Sequence, residues 1–175
     1  MNISFRKLYS DRPMVSDDGR VNYMVDVEDA EIWMRTRNLR GEANKFGSRT
    51  MNFDIWLDDC PEVDDMIRDG WGVKEYVPKS DEYEPRKHIN IVCSFRDKDG
   101  NALRRQPKII MITNGKQTEL NEETCNMFDD VEIVHADLTF RPYNWDVNGK
   151  QGVKAYLDTI YFEIEEGGFA AKYAE

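Results

Sequence analysis

Aromatic and basic side chains alternate on two predicted β-strands of this sequence, one around residues 30–37 and the other around residues 131–145. In each strand the apolar residues occupy the opposite parity, so the rings and bases share the exposed face. These two sets are Trp33, Arg35 and Arg37 on the first strand and Arg141, Tyr143 and Trp145 on the second. Rings can stack on unpaired bases while Arg and Lys follow the phosphates. The combination is therefore typical of surfaces that bind single-stranded nucleic acid.

Two glycine-containing loops, residues 40–49 and 145–154, add further bases beside these strands. Phe46 is flanked by Asn44 and Gly47 rather than by core residues, so we expect its ring to contact a ligand. The loop residues that we predict to bind single-stranded DNA are Arg40, Lys45, Phe46, Arg49, Lys150 and Lys154. Partial burial under loops is the alternative interpretation of Trp33 and Trp145. Trp56, Trp71 and Tyr83 have no bases nearby in the sequence, and we interpret them as structural.

The charge of the chain is segregated. It has 175 residues, with 24 Lys and Arg against 34 Asp and Glu, for a net charge of −10. Residues 35–49 nevertheless hold five bases and one acid, residues 86–108 seven bases and two acids, and residues 141–154 three bases and one acid. Phosphate binding needs such local positive charge. The alternative is that solvent-exposed loops carry net charges of different sign without any role in binding.

Several classes of protein are disfavoured by the sequence. No apolar run approaches the roughly 20 residues of a membrane span, and the first residues do not resemble a secretory signal, so a cytosolic protein is expected. The three cysteines are widely spaced, which predicts reduced thiols rather than disulfides or a zinc site. Nucleotide-binding, hydrolase and metalloprotease motifs are absent, and we expect no enzymatic activity, no metal and no cofactor.

Two other classes of function stay open at this point. The acidic remainder of the chain is compatible with a phage-encoded DNA mimic that inhibits a host nucleic-acid enzyme, although the basic clusters oppose it. A pair among the many carboxylates could also serve a metal-dependent nuclease.

Short strands, turn sequences and the lack of a long helix predict a small, partly open β-barrel. The acidic stretch around Pro61 predicts a short helix with an Asp as its N-cap and Gly70 as its end. A second short helix is predicted near Cys125, with Asn121 as its cap. Apolar parity slips at Leu157 and Asp158, which predicts a β-bulge there.

Three segments resemble the single-stranded DNA-binding proteins of bacteriophages. They are RPYNWDVNGKQGVKAYL at 141–157, DGWGVK at 69–74 and RGEANKFGSRTMNF at 40–53, and the similarity covers residues 30–166. The resemblance implies a mainly β, OB-fold-like, five-stranded, partly open Greek-key barrel with additional strands or a hairpin and two short helices. It also implies a non-enzymatic protein that coats single strands during phage DNA replication and recombination in the host cytoplasm.

The same resemblance suggests how the chain is organised and which partners it has. We expect an N-terminal arm or edge strand over 1–29, the DNA-binding domain over 30–166 and a short tail over 167–175. Single-stranded DNA is the expected partner, with phage or host replication proteins as further ones, and monomer and homodimer are both open. Family members often end in a long acidic tail, whereas this chain ends short and mildly acidic. Either recruitment by a tail is absent or the tail is missing from this chain.

Overall fold

A computed structural model describes residues 1–42 and 50–165 of the chain. Within them, ten strands form one sheet. The strands are β1 (Asn2–Lys7), β2 (Tyr23–Glu28), β3 (Glu31–Asn38), β4 (Asn52–Leu57), β5 (Val73–Tyr76), β6 (Arg86–Val92), β7 (Lys108–Thr113), β8 (Lys116–Leu120), β9 (Ile133–Val147) and β10 (Lys150–Ile164). Helix α1 (Pro61–Asp69) and a 3-10 helix (Cys125–Asp129) complete the described part.

The sheet runs in the order β1-β2-β9-β10-β6-β4-β3, with β5 added to β6 and the hairpin β7–β8 added to β10. In the described structure β1 and β3 each pair with one strand, so the sheet is open rather than closed into a barrel. The predicted mainly β, OB-like architecture is confirmed, and its additional strands belong to the same sheet.

Strand β10 is the central element because it changes its parallel partner halfway along its length. It pairs with β9 throughout, first beside β6 through Ala155 and Tyr156 and then beside β7 from Thr159 onward. The register shifts between Leu157 and Thr159, which confirms the predicted bulge. The extra residue lets Leu157 and Ile160, which have opposite parity, both point into the core.

The core lies on one side of this curved sheet. Phe53, Ile55 and Leu57 of β4 are buried, as their alternation predicts. Ile109, Ile110 and Met111 of β7 are buried in succession, as expected for a strand covered on both faces. Among the described helices, none is long and apolar enough to cross a membrane.

The helix ends differ in part from the predictions. Pro61 occupies the first position of α1, and Gly70 ends the helix in the left-handed region at φ 101°. The predicted Asp N-cap is wrong: Cys60 takes this position in an extended conformation, without a side-chain hydrogen bond, because Pro61 fixes the start one residue later. Asn121 accepts hydrogen bonds from two backbone N–H groups of the turn that precedes the 3-10 helix.

Strand β3 also departs from simple alternation. Its register against β4 shifts after Trp33, and Met34, predicted to face the core, is 39% exposed. The Thr36 hydroxyl donates to the Trp33 carbonyl and accepts from the Asp54 N–H, which stabilises the irregular segment. Residues beyond Trp33 therefore do not keep the faces that a regular strand would give them.

Candidate nucleic-acid interface

The face of the sheet opposite the core carries five of the twelve predicted binding residues, and we call it the outer face. It is defined by strand parity and by cross-strand pairs such as Trp56 with His88 and Tyr143 with Lys154. Its members are Trp33, Asp54, Trp56, Lys74, Tyr76, Arg86, His88, Asn90, Arg141, Tyr143, Trp145, Lys154 and Tyr156.

One end of the outer face holds four aromatic rings in mutual contact, which we call the tryptophan cluster: Trp33, Trp56, Tyr76 and His88. Trp33 and Trp56 stack with their ring centroids 4.1 Å apart and their planes at 26°. Tyr76 and His88 meet Trp33 edge-on at 5.3 and 5.1 Å. Both tryptophans are partly exposed, so the cluster offers aromatic surface to a ligand.

Two arginines cover this cluster. The Arg35 guanidinium lies 4.8 Å from the Trp33 ring centroid and 5.8 Å from that of Tyr76. The Arg86 guanidinium lies 4.4 Å from the Trp56 ring and pairs with Glu31 at 2.8 Å. Arg35 has no acidic partner among the described residues. Cation–π contacts of this kind place positive charge directly beside the stacking surface.

A polar network of Asp54, His88 and Asn90 lies beside the tryptophan cluster, and we call it the floor of the outer face. Asp54 is almost fully buried, and its two carboxylate oxygens contact His88 Nδ1 at 2.6 Å and the Asn90 side-chain amide at 2.7 Å. Because both partners are on the neighbouring strand, the network fixes the orientation of β4 against β6 as well as that of the His88 ring.

A groove of about 390 Å³ runs from this floor to the hairpin β9–β10. Lys74 and Asn90 line one wall and Trp145 and Lys154 the other. The Trp145 ring lies against Gly152, where a Cβ atom would come within 2.5 Å of the ring. A glycine is therefore required at this position for the indole to lie flat on β10.

The other end of the outer face carries a second stacking surface, the tyrosine pair of Tyr143 and Tyr156. The two rings are 4.9 Å apart and nearly parallel, at 11°, and Tyr143 is 50% exposed. A second groove of about 690 Å³ borders the pair. Thr50 and Val92 line both grooves, so the two grooves adjoin each other.

Each of the three basic segments found in the sequence contributes cations on or beside the outer face. Arg86 comes from the second segment and Arg141 and Lys154 from the third, while Arg35 of the first segment lies over the Trp33 ring. Arg141 is half-buried and pairs with Asp158 at 3.4 Å, and burial and the nearby charge of Arg105 lower its pKa. Charges that are distant in sequence thus lie on one surface.

Other predicted binding residues lie elsewhere. Arg37 does not share the face of Trp33: its guanidinium donates to the carbonyls of Phe128 and Val131, beside the 3-10 helix. Arg40 pairs with Asp129, Asp130 and Glu42. Three acids thus surround its charge. Lys150 lies at the exposed tip of the β9–β10 hairpin, beyond the groove. The predictions for Lys45, Phe46 and Arg49 lie outside the described residues.

Sequence reasoning missed three of the four rings in the tryptophan cluster. Trp56 was expected to be structural because no base is near it in sequence, yet it stacks on Trp33 and lies under Arg86, which belongs to another strand. Its parity, opposite to Phe53, Ile55 and Leu57, was the available signal. The structural interpretation holds for Trp71, which is 4% exposed and donates to the Tyr23 hydroxyl. Tyr83, by contrast, is 67% exposed.

An open β-sheet with aromatic rings and cations along one face is typical of oligonucleotide-binding proteins. The model of the phage ssDNA-binding domain family matches residues 17–175. This chain therefore belongs to the phage ssDNA-binding domain family, as the resemblance in its sequence indicated.

Solved structures agree with this architecture. The chain is similar to the single-stranded DNA-binding protein of bacteriophage Enc34 in complex with ssDNA, with a TM-score of 0.51 and 12% identity over 83% of this chain and 89% of that one. A C-terminal truncation of the Enc34 protein gives a TM-score of 0.50 and 10% identity, over 83% of this chain and 87% of the other. Among curated proteins, no sequence is significantly similar.

Proposed function

We propose that this protein binds single-stranded DNA across its outer face, without sequence preference and without enzymatic activity. The observation that carries the proposal is the continuity of this face. The tryptophan cluster lies at one end, the tyrosine pair at the other, and a groove with Lys74 and Lys154 lies between them. Membership of the phage ssDNA-binding domain family supports the same conclusion.

The physical basis of binding is stacking combined with phosphate neutralisation. Each stacked base contributes about 1–3 kcal/mol, and every base has an aromatic face, so stacking tolerates any sequence. Lys and Arg beside the rings release counterions from the phosphates, which makes binding sensitive to salt. Bases in a duplex are already stacked on one another, so the rings of the outer face select for single strands.

The wider role follows from this activity. We propose that the protein coats single strands exposed during phage DNA replication and recombination in the host cytoplasm, with phage or host replication proteins as further partners. Within the described residues, no cluster of three or more His, Cys, Asp or Glu side chains could hold a metal ion. The proposed activity requires none.

Tryptophan fluorescence tests the proposal directly. Three of the four tryptophans lie on the outer face, and Trp71 is buried and serves as an internal reference. Titration with dT oligonucleotides at low salt is expected to quench the emission, and a variant with Trp71 as its only tryptophan should respond little. No quenching in the wild-type protein, or intact retention of binding after all three outer-face rings are removed, would contradict the proposal.

A further inference from the structure

An ion cluster at the β10 bulge contains more positive than negative charge. Asp158 is the extra residue of the bulge, and 12% of its side chain is exposed. Its Oδ1 atom pairs with Arg105 Nη2 at 2.7 Å and lies 3.4 Å from Arg141 Nε. Two guanidinium groups thus share one carboxylate oxygen, which leaves one positive charge uncompensated within the cluster.

The donors of this cluster are not all used. Among the described residues, Arg141 Nε is a buried side-chain nitrogen that makes no hydrogen bond, because its approach to Asp158 is an ion pair without hydrogen-bond geometry. The Arg105 side chain is 58% exposed. A single ion pair would need only one arginine, whereas two converging cations are stabilised by a second anion.

The position of the ion cluster of Arg105, Arg141 and Asp158 indicates which anion could reach it. Arg141 lies directly across from Tyr156 and two residues before Tyr143 on the same strand. Residues two apart on one face of a strand are separated by about 7 Å. A base stacked on the tyrosine pair therefore has its own backbone within reach of both arginines.

We propose that Arg105 and Arg141 form a phosphate subsite that anchors one backbone phosphate of the bound strand beside the tyrosine pair. The inference rests on the proposed function, since the phosphate belongs to the DNA strand that we propose to bind the outer face. Asp158 is a positioning residue: it holds the two guanidinium groups together, and the Thr159 hydroxyl donates to its second oxygen at 3.1 Å. Arg105 was not among the residues that the sequence pointed to.

A methylphosphonate scan tests the subsite. A dT oligonucleotide is made in versions that each carry one uncharged methylphosphonate linkage, and the affinity of each version is measured. In the wild-type protein, one or two positions are expected to lose about three- to fivefold in affinity, as for one partly exposed ion pair. In Arg105→Gln this loss should disappear at one position and persist elsewhere.

Arg104→Gln is the matched control, since it removes the same charge from the exposed neighbouring residue. The slope of log K against log salt should become shallower by about 0.7 in Arg105→Gln and stay unchanged in Arg104→Gln. Equal effects of both substitutions, or a full methylphosphonate penalty in Arg105→Gln, would overturn the subsite while the proposed function stands. Failure of the wild-type protein to bind unmodified dT would instead overturn the proposed function itself.

Discussion

At the scale of single residues, exposure on the outer face separates the tryptophans that we propose to bind DNA from the one that is buried in the core. Trp33 and Trp56 stack on each other under two arginines, whereas Trp71 is buried and hydrogen-bonded to Tyr23. Trp56 and Trp71 both lack bases nearby in the sequence, so only their environments in the fold distinguish them.

Trp56→Ala and Trp71→Ala should therefore have opposite consequences. Loss of the Trp56 ring removes one stacking surface and is expected to weaken dT binding by roughly 5- to 150-fold, the equivalent of about 1–3 kcal/mol. Loss of the buried Trp71 ring is expected to lower the free energy of unfolding by about 3–5 kcal/mol. Fluorescence-independent binding assays and thermal unfolding measure the two effects.

Tyr9→Ala provides the control for this pair. Tyr9 is 46% exposed and lies under the Arg12 guanidinium at 4.3 Å, so it matches the ring-and-cation arrangement of the cluster but lies in the β1–β2 connection. Its removal should leave affinity unchanged. A Trp56→Ala protein that binds normally but unfolds easily would show that Trp56 is a packing residue.

The cysteines give a second prediction at this scale. Cys93 and Cys125 are buried, and burial raises the pKa of Cys125 to about 11 and that of Cys93 still further. Since the thiolate is the reactive form, neither should react with a thiol reagent at pH 8 in the native protein. At most Cys60 should react rapidly, with three thiols titrating after denaturation. Three fast thiols in the native state would contradict the described core.

At the scale of elements, the β9–β10 hairpin determines where the second half of the interface lies. Asn148 and Gly149 form its tight turn with positive φ angles of 53° and 77°. The Asn144 side chain exchanges hydrogen bonds with the backbone of Val21, which fixes the hairpin against the N-terminal part of the sheet. The bulge at Asp158 then turns the remainder of β10 toward β7.

Gly152→Val tests the contact between this hairpin and its indole. A Cβ at position 152 would come within 2.5 Å of the Trp145 ring, so the ring must leave β10 and the groove loses one wall. We expect dT affinity to fall by at least about fivefold. Gly149→Ala is the control: its Cβ would have no neighbour within 4 Å, and its positive φ lowers stability without touching Trp145. Equal loss of dT affinity in both variants would argue against a contribution of the Trp145 ring to DNA binding.

At the scale of the whole molecule, binding depends on the distance between the two stacking surfaces. Tyr156 of β10 lies across from Val92 of β6, and His88 of the tryptophan cluster is four residues away along β6, roughly 13 Å at about 3.3 Å per residue. One DNA strand must cover this distance to contact both surfaces.

The length dependence of dT binding measures this arrangement. Affinity should rise steeply with oligonucleotide length until one molecule spans both surfaces and then level off, within the range of about 4–16 nucleotides known for OB folds. In a Tyr143→Ala, Tyr156→Ala protein the plateau should be reached with a shorter oligonucleotide. A plateau at the same length would show that the tyrosine pair does not contact the strand.

The sequence by itself determined the class of fold, the bulge in β10, and which residues of the late strand face away from the core, because each depends on local alternation of apolar and polar residues. The three segments at 40–53, 69–74 and 141–157 also indicated the family. Only the tertiary structure decided which cations are available and which rings meet. Arg37 and Arg40 pair with groups about ninety residues away, Trp56 and Arg86 come together through the pairing of β4 with β6, and Arg105 pairs with Asp158 from the segment before β7. Contacts of that kind depend on strand order and register, which local patterns do not encode.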